Sequence, residues 1–241
     1  IMNMFSGKQI LIPIAALLLL AVFNLIADPS FYKISMDVNS AGNHVLSGYL
    51  ITILDYGSEL AILAIGMTLV TAASGGQDIS VGAVMAVAAA VCCQILSGGK
   101  VSVDALAAPL ALGVVAALLA SALCGAFNGF LVAKLNIQPM VAKLILFTAG
   151  RGIAQLITSG QITYVRVGSY KVFGGYIGKI PVPVPIFLAI IVVLLVHLVL
   201  KKTALGLYIE SVGINGTASR LVGLNSTMIK FVTYVICGLM A

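Results

Sequence analysis

The sequence predicts an all-α protein, a polytopic bundle of membrane helices with one broken or re-entrant helix segment. Hydrophobic residues make up 61% of the 241 residues and charged residues only 8%, which is too little polar surface for a water-soluble globule. Several apolar runs approach the length of about 20 residues that a bilayer-spanning helix needs. A polar segment, residues 71–82, lies where one of these runs ends and the next begins. These three observations predict the fold class.

The predicted spans are separated by charged residues, glycines and prolines, which end apolar helices. We predict about six full spans and a partial seventh, at residues 9–27, 50–73, 79–96, 106–133, 137–158, 184–200 and 228–241. The last run is shorter than a span, so we expect a chain that is truncated at its C-terminus. All seven runs are expected to form a single transmembrane domain, residues 1–241.

The basic residues of the short loops predict the orientation of the helices. With a cytoplasmic N-terminus, seven basic residues lie on or near the cytoplasmic side and five lie outside. Lys201 and Lys202 carry most weight, because they directly follow a span. Lys143 then falls near the cytoplasmic end of the fifth span, where its long side chain can reach the membrane surface. The basic residues are scattered along the chain, which argues against nucleic-acid binding.

The polar interruption at residues 71–82 is the main candidate site. Non-helical backbone within a bilayer is tolerated only where protein covers it or where it lines a water-filled cavity. The segment therefore predicts a path for a hydrophilic solute. The alternative is a tight glycine turn in which Asp78 or Ser80 caps the next helix. The candidate path residues in this segment are Ser74, Gly75, Gly76, Gln77, Asp78 and Ser80.

Arg151 joins the candidate path residues because it is a charge within the fifth apolar run. A charged side chain at the centre of a bilayer costs about 2.5–3.5 kcal/mol on insertion scales. An ion pair with Asp78 or Glu59 on another helix would offset this cost. Direct contact with the solute is the alternative role for Arg151.

Residues 203–225 are too polar to cross a membrane and form a predicted cytoplasmic loop. Within this loop, residues 217–222 favour a short helix that begins near Asn215 and ends at Gly223. We predict that this helix docks on a partner protein, and the alternative is a helix that lies on the lipid headgroups. The candidate docking residues are Gly213, Asn215, Ala218, Ser219, Arg220 and Gly223.

Several ordered blocks resemble the permease subunits of bacterial sugar ABC importers of the ribose and galactofuranose type. The stretches Ala-Ile-Gly-Met-Thr-Leu-Val at 64–70 and Ser-Gly-Gly-Gln-Asp-Ile-Ser-Val-Gly at 74–82 are similar to the signature of that family. The family usually has an apolar residue where Gln77 stands. Further similar blocks follow in order at residues 128–132, 137–139, 150–152, 158–161 and 202–223. The resemblance covers nearly the whole chain from about Leu50 onward.

The resemblance implies a permease subunit that moves a monosaccharide across the bacterial inner membrane by alternating access. It implies three kinds of partner, namely ABC ATPase subunits that bind ATP, a second permease copy or paralogue, and an extracytoplasmic sugar-binding protein. The chain has no GxxxxGK[ST] phosphate-binding loop and no catalytic constellation, so we predict that it is not an enzyme and holds no cofactor or metal. The alternatives are an ion-coupled secondary transporter, in which Asp78 would carry a proton or sodium ion, and a permease for branched-chain amino acids.

Overall fold

The computed structural model describes residues 2–38, 44–76, 78–171, 174–176 and 180–241, and the described chain is mostly helical. Its α-helices, numbered in chain order, are α1 Met2–Ala27, α2 Tyr49–Ser74, α3 Val81–Ser97, α4 Leu110–Gly129, α5 Pro139–Ile157, α6 Gly168–Lys171, α7 Val184–Lys202, α8 Ala204–Ile214, α9 Gly216–Leu221 and α10 Ser226–Met240. A 3-10 turn follows α1 at Pro29–Tyr32, and a π-helical turn, Phe130–Lys134, extends α4. The strands are β1 Ser35–Val38, β2 His44–Ser47, β3 Ser102–Val103 and β4 Tyr164–Val165.

The apolar helices confirm a polytopic helical membrane protein. By length and composition, four helices of the described chain can cross a membrane: Tyr49–Ser74, Leu110–Lys134, Pro139–Ile157 and Val184–Lys202. Shorter apolar helices lie at Leu11–Ala27, Val81–Ser97, Ala204–Ile214 and Ser226–Met240. Each predicted apolar run therefore corresponds to a helix. The apolar helical segments of the first and third runs are shorter than the length by which a helix counts as a candidate span.

Three capping side chains divide the end of the chain into consecutive helices. The Thr203 hydroxyl oxygen accepts a hydrogen bond from the Leu205 amide at the start of α8. The Asn215 side chain accepts hydrogen bonds from the first amides of α9, and the Asn225 side chain accepts one from Met228 in α10. Such caps satisfy amides that lack a partner within the helix. The sequence predicts a helix in the position of α9 but not α8.

The contacts divide the chain into two compact units. The first unit comprises Ile1–Gly57 and Tyr176–Pro183 and contains α1, the hairpin of β1 and β2, and the start of α2. The hairpin strands are antiparallel, with Ser35 opposite Ser47. The hydroxyl of Tyr176 donates a hydrogen bond of 2.7 Å to the carbonyl of Leu46 in β2.

The second unit comprises Ser58–Gly175 and Val184–Ala241 and contains the helices that surround the polar interruption. Glycines allow α4 and α10 to pack closely, since a Cβ at Gly125 would lie 2.5 Å from the carbonyl oxygen of Tyr234. A small apolar core joins α2, α3, the π-helical turn, α5 and α10. It consists of the buried residues Val70, Val81, Val132, Ala142, Tyr234 and Cys237. That core lies directly against the polar interruption. The prediction of a single domain is not tested by this division and stays a prediction.

Candidate functional site

The structure contains the predicted helix break between α2 and α3. Helix α2 ends at Ser74 and α3 begins at Val81, and Gly75 adopts a φ of +69°, a conformation that favours glycine. Asp78 accepts a hydrogen bond from the Ser80 amide just before α3, which forms a local turn, but Ser80 makes no side-chain capping bond to α3. The turn of the alternative is therefore present, and the predicted helix cap is not. Gln77 lies outside the described residues. We refer to residues 75–80 as the break.

The position of the break follows from the relative positions of α3 and α5 in the second unit. Residues 86–93 of α3 and 154–158 of α5 line one groove, and a Cβ at Gly150 would lie 3.1 Å from Ala83, so the two helices run in the same direction. Gly150 lies eleven residues after the start of α5 and Ala83 two residues after the start of α3. At about 1.5 Å per residue, α3 therefore begins about 13 Å further along this direction than α5. The non-helical residues between Gly76 and α3 cover this distance.

Gly76, at the end of the break nearer to α2, lies at the start of α5. A Cβ at Gly76 would lie 2.5 Å from the Cβ of Pro139, the first residue of α5, so only glycine fits without a shift of the proline. Five residues of extended chain reach about 17 Å, which is enough to connect this point to Val81. The break is therefore a non-helical segment within the helical body, as the sequence predicts.

A series of side-chain hydrogen bonds holds the part of the break next to α3. The Ser80 hydroxyl donates to Asp78 Oδ1 over 2.7 Å, and the Asn128 amide Nδ2 donates to Ser80 Oγ over 2.9 Å. Because Ser80 uses its one proton on Asp78, it must accept from Asn128, which fixes the orientation of the Asn128 amide. All three side chains are buried. The Oδ1 atom of Asn128 is left without a partner beside a cavity of about 10 Å³.

Lys143 of α5 is the cation that approaches the break. Its Nζ atom lies 3.8 Å from Asp78 Oδ2 and donates a hydrogen bond of 3.1 Å to the carbonyl of Gly76. The same ammonium lies 5.1 Å from the centre of the Tyr234 ring in α10. The Lys143 side chain is fully buried, so the prediction that it reaches the membrane surface is wrong. A buried carboxylate stabilises it there, because an unpaired charge in that place would be costly.

The predicted ion pair of Arg151 with Asp78 or Glu59 is not formed. Its guanidinium lies 4.3 Å from the centre of the Phe147 ring, one turn earlier on α5, and the side chain is exposed. Lys143 takes the place beside Asp78 because it lies on the buried side of α5. The role of Arg151 as a path residue is not tested by this geometry and stays a prediction.

Ser74, at the end of α2, contacts α10 beside the break. The Ser74 hydroxyl lies 3.1 Å from the Tyr234 hydroxyl, so a bond between α2 and α10 completes the cluster. Within the break, Asp78 and Ser80 are buried, whereas Gly75 and Ile79 are exposed. The polar groups of the break bond to each other and to side chains of α4 and α5. Sequence reasoning missed Lys143, Asn128 and Tyr234 as members of this cluster. Of these, only Lys143 carries a sequence signal, a single charge near the start of an apolar run.

The predicted docking residues lie on α8 and α9 and on the turn after them. Asn215 caps α9, and the Ser219 hydroxyl donates a hydrogen bond back to the Asn215 carbonyl over 2.9 Å. Arg220 donates to the Thr227 hydroxyl over 3.2 Å, which ties α9 to the start of α10. Gly223 has a φ of +90° and ends this segment. Ala218 lies exposed on α9, as Arg220 does.

The end of α9 presents an apolar surface. Leu221 is 87% exposed and Val222 is 83% exposed, and Ile214, at the end of α8, is 80% exposed. Side chains of this size are seldom so exposed together unless a partner or a membrane covers them. The polar residues Thr217 and Arg220 lie beside them.

Helix α8 packs against the end of α2, just before the break. Gly213 allows this contact, since a Cβ at this position would overlap the carbonyl oxygen of Ala72. Ile209 of α8 is buried in a cluster with Leu69 and Ala73 of α2. Ala73 is followed only by Ser74 before α2 ends. The predicted docking segment and the break are thus joined by a direct helix contact.

Comparison with known proteins identifies the family of the chain. The sequence profile of the family described as "Branched-chain amino acid transport system / permease component" matches residues 49–241. The chain belongs to this permease family. The family consists of the permease components of transport systems, and a permease component is not itself an enzyme. No solved structure matches the chain.

Three relatives of the permease are sugar transport proteins by their names. It is 42% identical over 95% of its length to the galactofuranose transporter permease protein of Escherichia coli strain K12. It is 39% identical to the fructose import permease protein of Bifidobacterium longum and 36% identical to the ribose import permease protein of Escherichia coli strain K12, each over 95% of its length. The chain spans 62%, 62% and 65% of these three relatives, which is less than two thirds of their lengths.

Proposed function

We propose that the permease is the membrane subunit of an ATP-driven ABC importer and moves a monosaccharide by alternating access. The three relatives are named for galactofuranose, fructose and ribose, which are small neutral polyols. Their common chemistry supports a sugar rather than the branched-chain amino acids of the family description. The same similarity supports a location in the bacterial inner membrane.

The observation that carries the proposed mechanism is the contact between α8 and the end of α2. A partner ATPase that closes on ATP would move α9, whose exposed end carries Leu221 and Val222. Helix α8 would transmit that motion, because Gly213 packs directly on Ala72. The break begins three residues later, at Gly75, where α2 has ended. Movement at the docking segment would therefore change the geometry of the break without a long relay.

The break itself is proposed as part of the solute path. The Asp78 carboxylate, the Ser80 hydroxyl and the Gly76 carbonyl bond to each other or to Asn128 and Lys143. A sugar hydroxyl offers both a donor and an acceptor that could replace such a bond. The proposed path residues remain Ser74, Gly75, Gly76, Gln77, Asp78, Ser80 and Arg151. An ion-coupled transporter has less support, because Lys143 already lies beside the Asp78 carboxylate and opposes a bound cation.

The proposed assembly contains ATPase subunits at α9, a second permease copy or paralogue, and an extracytoplasmic sugar-binding protein. This arrangement requires a cytoplasmic N-terminus, with α9 on the same side. Lys201 and Lys202 end α7 directly before the docking segment, and basic residues next to a span favour the cytoplasmic side. Residues 203–225 would then be the cytoplasmic coupling loop.

Charge reversal at Arg220 tests the proposed function. The complete transporter, with its ATPases and binding protein, is reconstituted in proteoliposomes, and ATP-dependent uptake of ribose, fructose and galactofuranose is measured. We expect the parent to import at least one of these sugars. Arg220→Glu is expected to lower that uptake by about 10-fold or more, because a reversed charge at an interface disfavours docking.

Arg166→Glu is the matched control, since Arg166 is also an exposed arginine but lies beside β4, away from α9. Its uptake is expected to stay near that of the parent. Membrane insertion of both variants is checked by protein yield in the membrane fraction. Normal uptake by Arg220→Glu at normal yield would contradict docking through α9.

A further inference from the structure

Helix α5 carries a polar stripe on a face that the described helices leave uncovered. Thr148, Arg151, Gln155 and Thr158 are spaced by three, four and three residues, which places them on one side of the helix. Thr148, Arg151 and Gln155 are exposed, and Thr158 is half-buried. The opposite side of α5 is buried and carries Ala142, Lys143 and Leu146.

A lipid environment does not suit this stripe. A guanidinium and an amide within a spanning helix face the bundle interior or a water-filled cavity, because lipid offers them no hydrogen bonds. Arg151 presents its guanidinium along α5, over Phe147, and the side-chain amide of Gln155 makes no hydrogen bond to the part of the chain that the structure describes. The stripe therefore requires water, a polar solute or another protein in front of it.

A groove lies beside the stripe, between α3 and α5. It has a volume of about 250 Å³, which is somewhat below the usual range of about 300–1,000 Å³ for drug-sized ligands and suits a smaller molecule. Its walls are formed by small residues of α3, Ala86, Ala89, Ala90 and Cys93, and by Ala154 of α5. Its polar lining is formed by Gln155, Thr158 and Thr163. Both the groove and the break lie in the second unit.

The polar groups at the groove match the needs of a neutral polyol. The hydroxyl of Thr158 donates its proton to the Ala154 carbonyl over 3.1 Å, which leaves its oxygen lone pairs to accept from a ligand. Gln155 offers two donors and an acceptor, and Arg151 offers only donors. No acidic side chain lines the groove, which disfavours a cationic ligand.

We propose that the groove between α3 and α5 is a sugar-contact site of the translocation path, in which Gln155 and Thr158 bind hydroxyl groups of a monosaccharide. This proposal rests on the proposed function, since it assumes a sugar as the cargo. It adds Gln155, Thr158 and Thr163, which line the groove, to the proposed path residues. The groove borders α3 beyond the end of the break, so a solute that leaves the groove along α3 reaches the break.

The first test removes the polar groups at constant size. The double variant Gln155→Leu and Thr158→Val is made in the complete transporter, and uptake of the sugar that the parent imports is measured over a range of concentrations. We expect the maximal rate to fall about 10-fold, which corresponds to the loss of one or two neutral hydrogen bonds. We expect the KM to change little, because the binding protein loads the sugar. Leu156→Ala, at a neighbouring exposed position that does not line the groove, is the matched control and should retain the parent rate.

The second test separates a sugar groove from an interface between two permease copies. Gln155→Cys is treated with a charged, water-soluble thiol reagent in the complete transporter, and its labelling above that of the parent is measured with and without the sugar. Labelling that the sugar lowers at least about 3-fold supports the proposal. A disulfide between two copies at position 155, or labelling by an apolar reagent alone, would overturn it in favour of a protein or lipid contact.

The two proposals fail in different ways. If the parent transporter imports none of the sugars, the proposed function fails. If the parent imports a sugar while the double variant matches Leu156→Ala in maximal rate, the proposed function stands and the groove is not a contact site.

Discussion

Lys143 connects two residues of the break and a ring of α10 through one ammonium group. It lies near the carboxylate of Asp78, bonds to the carbonyl of Gly76 and approaches the ring of Tyr234. Because the side chain is fully buried, its charge depends on these partners rather than on water. Removal of one member of a buried ion pair leaves the other member uncompensated, which costs more than removal of both.

We therefore expect Lys143→Met to lower the free energy of unfolding by about 3–5 kcal/mol, measured by denaturant unfolding in mixed micelles. The double variant with Asp78→Asn should lose clearly less than the sum of the two single variants, since no buried charge remains. Lys134→Met is the control, because Lys134 is exposed, and a change of at most about 1 kcal/mol is expected there. Strictly additive losses for Lys143 and Asp78 would contradict a coupled pair.

At the scale of the helices, the contact of α8 with α2 depends on a single missing side chain. Gly213 lies within α8, where alanine would favour the helix by about 1 kcal/mol in isolation. A Cβ at this position would nevertheless overlap the carbonyl oxygen of Ala72. Any harm from a methyl group at position 213 therefore comes from the helix contact and not from the helix itself.

Gly213→Ala is expected to lower ATP-dependent uptake by about 10-fold, while ATP hydrolysis by the assembled transporter continues. Helix α8 would have to move away from α2, which weakens the transmission of motion to the break. Gly216→Ala is the matched control in the same segment, since the atom nearest to a Cβ there is Lys230 Nζ at 4.0 Å. Uptake by Gly213→Ala equal to that of Gly216→Ala would show that this contact does not couple the two parts.

The helices differ in how far the sequence predicts them. The bounds of α2 and α5 were predicted within two residues, because apolar runs end at local signals such as glycine and proline. The cap at Asn215 predicted α9 for the same reason. The sequence does not predict α8, because its mixture of polar and apolar residues indicates only that the segment is too polar to cross a membrane.

The contacts of the candidate site were less predictable than its position. The glycines and polar residues of the break lie next to each other in the chain, so the sequence located the break itself. The partners of Asp78 outside the break come from α5 and α10, and the partner of Ser80 comes from α4, all distant in sequence. No local pattern distinguishes Lys143 from Arg151 as the cation beside Asp78. Both residues lie on α5, and only the packing of that helix places Lys143 on the buried side.

At the scale of the whole molecule, the proposed mechanism requires that α9 and the loop after α3 lie on opposite sides of the membrane. An odd number of crossings separates them when α4, α5 and α7 each span the bilayer, and all three are among the helices long and apolar enough to do so. The basic residues Lys134, Lys201 and Lys202 then lie on the side of α9, as the positive-inside rule favours. One cysteine added at each of two exposed positions, in separate variants, tests this orientation.

Asp104→Cys, in the loop after α3, is expected to react with a membrane-impermeant maleimide in intact spheroplasts. Thr217→Cys, in α9, should react only in inside-out vesicles or after the membrane is permeabilised. The parent chain, with its four native cysteines, gives the background that is subtracted in each case. Labelling of Thr217→Cys from outside would place α9 away from the cytoplasm, where no ATPase could reach it, and the proposed coupling of ATP hydrolysis to the break would then be wrong.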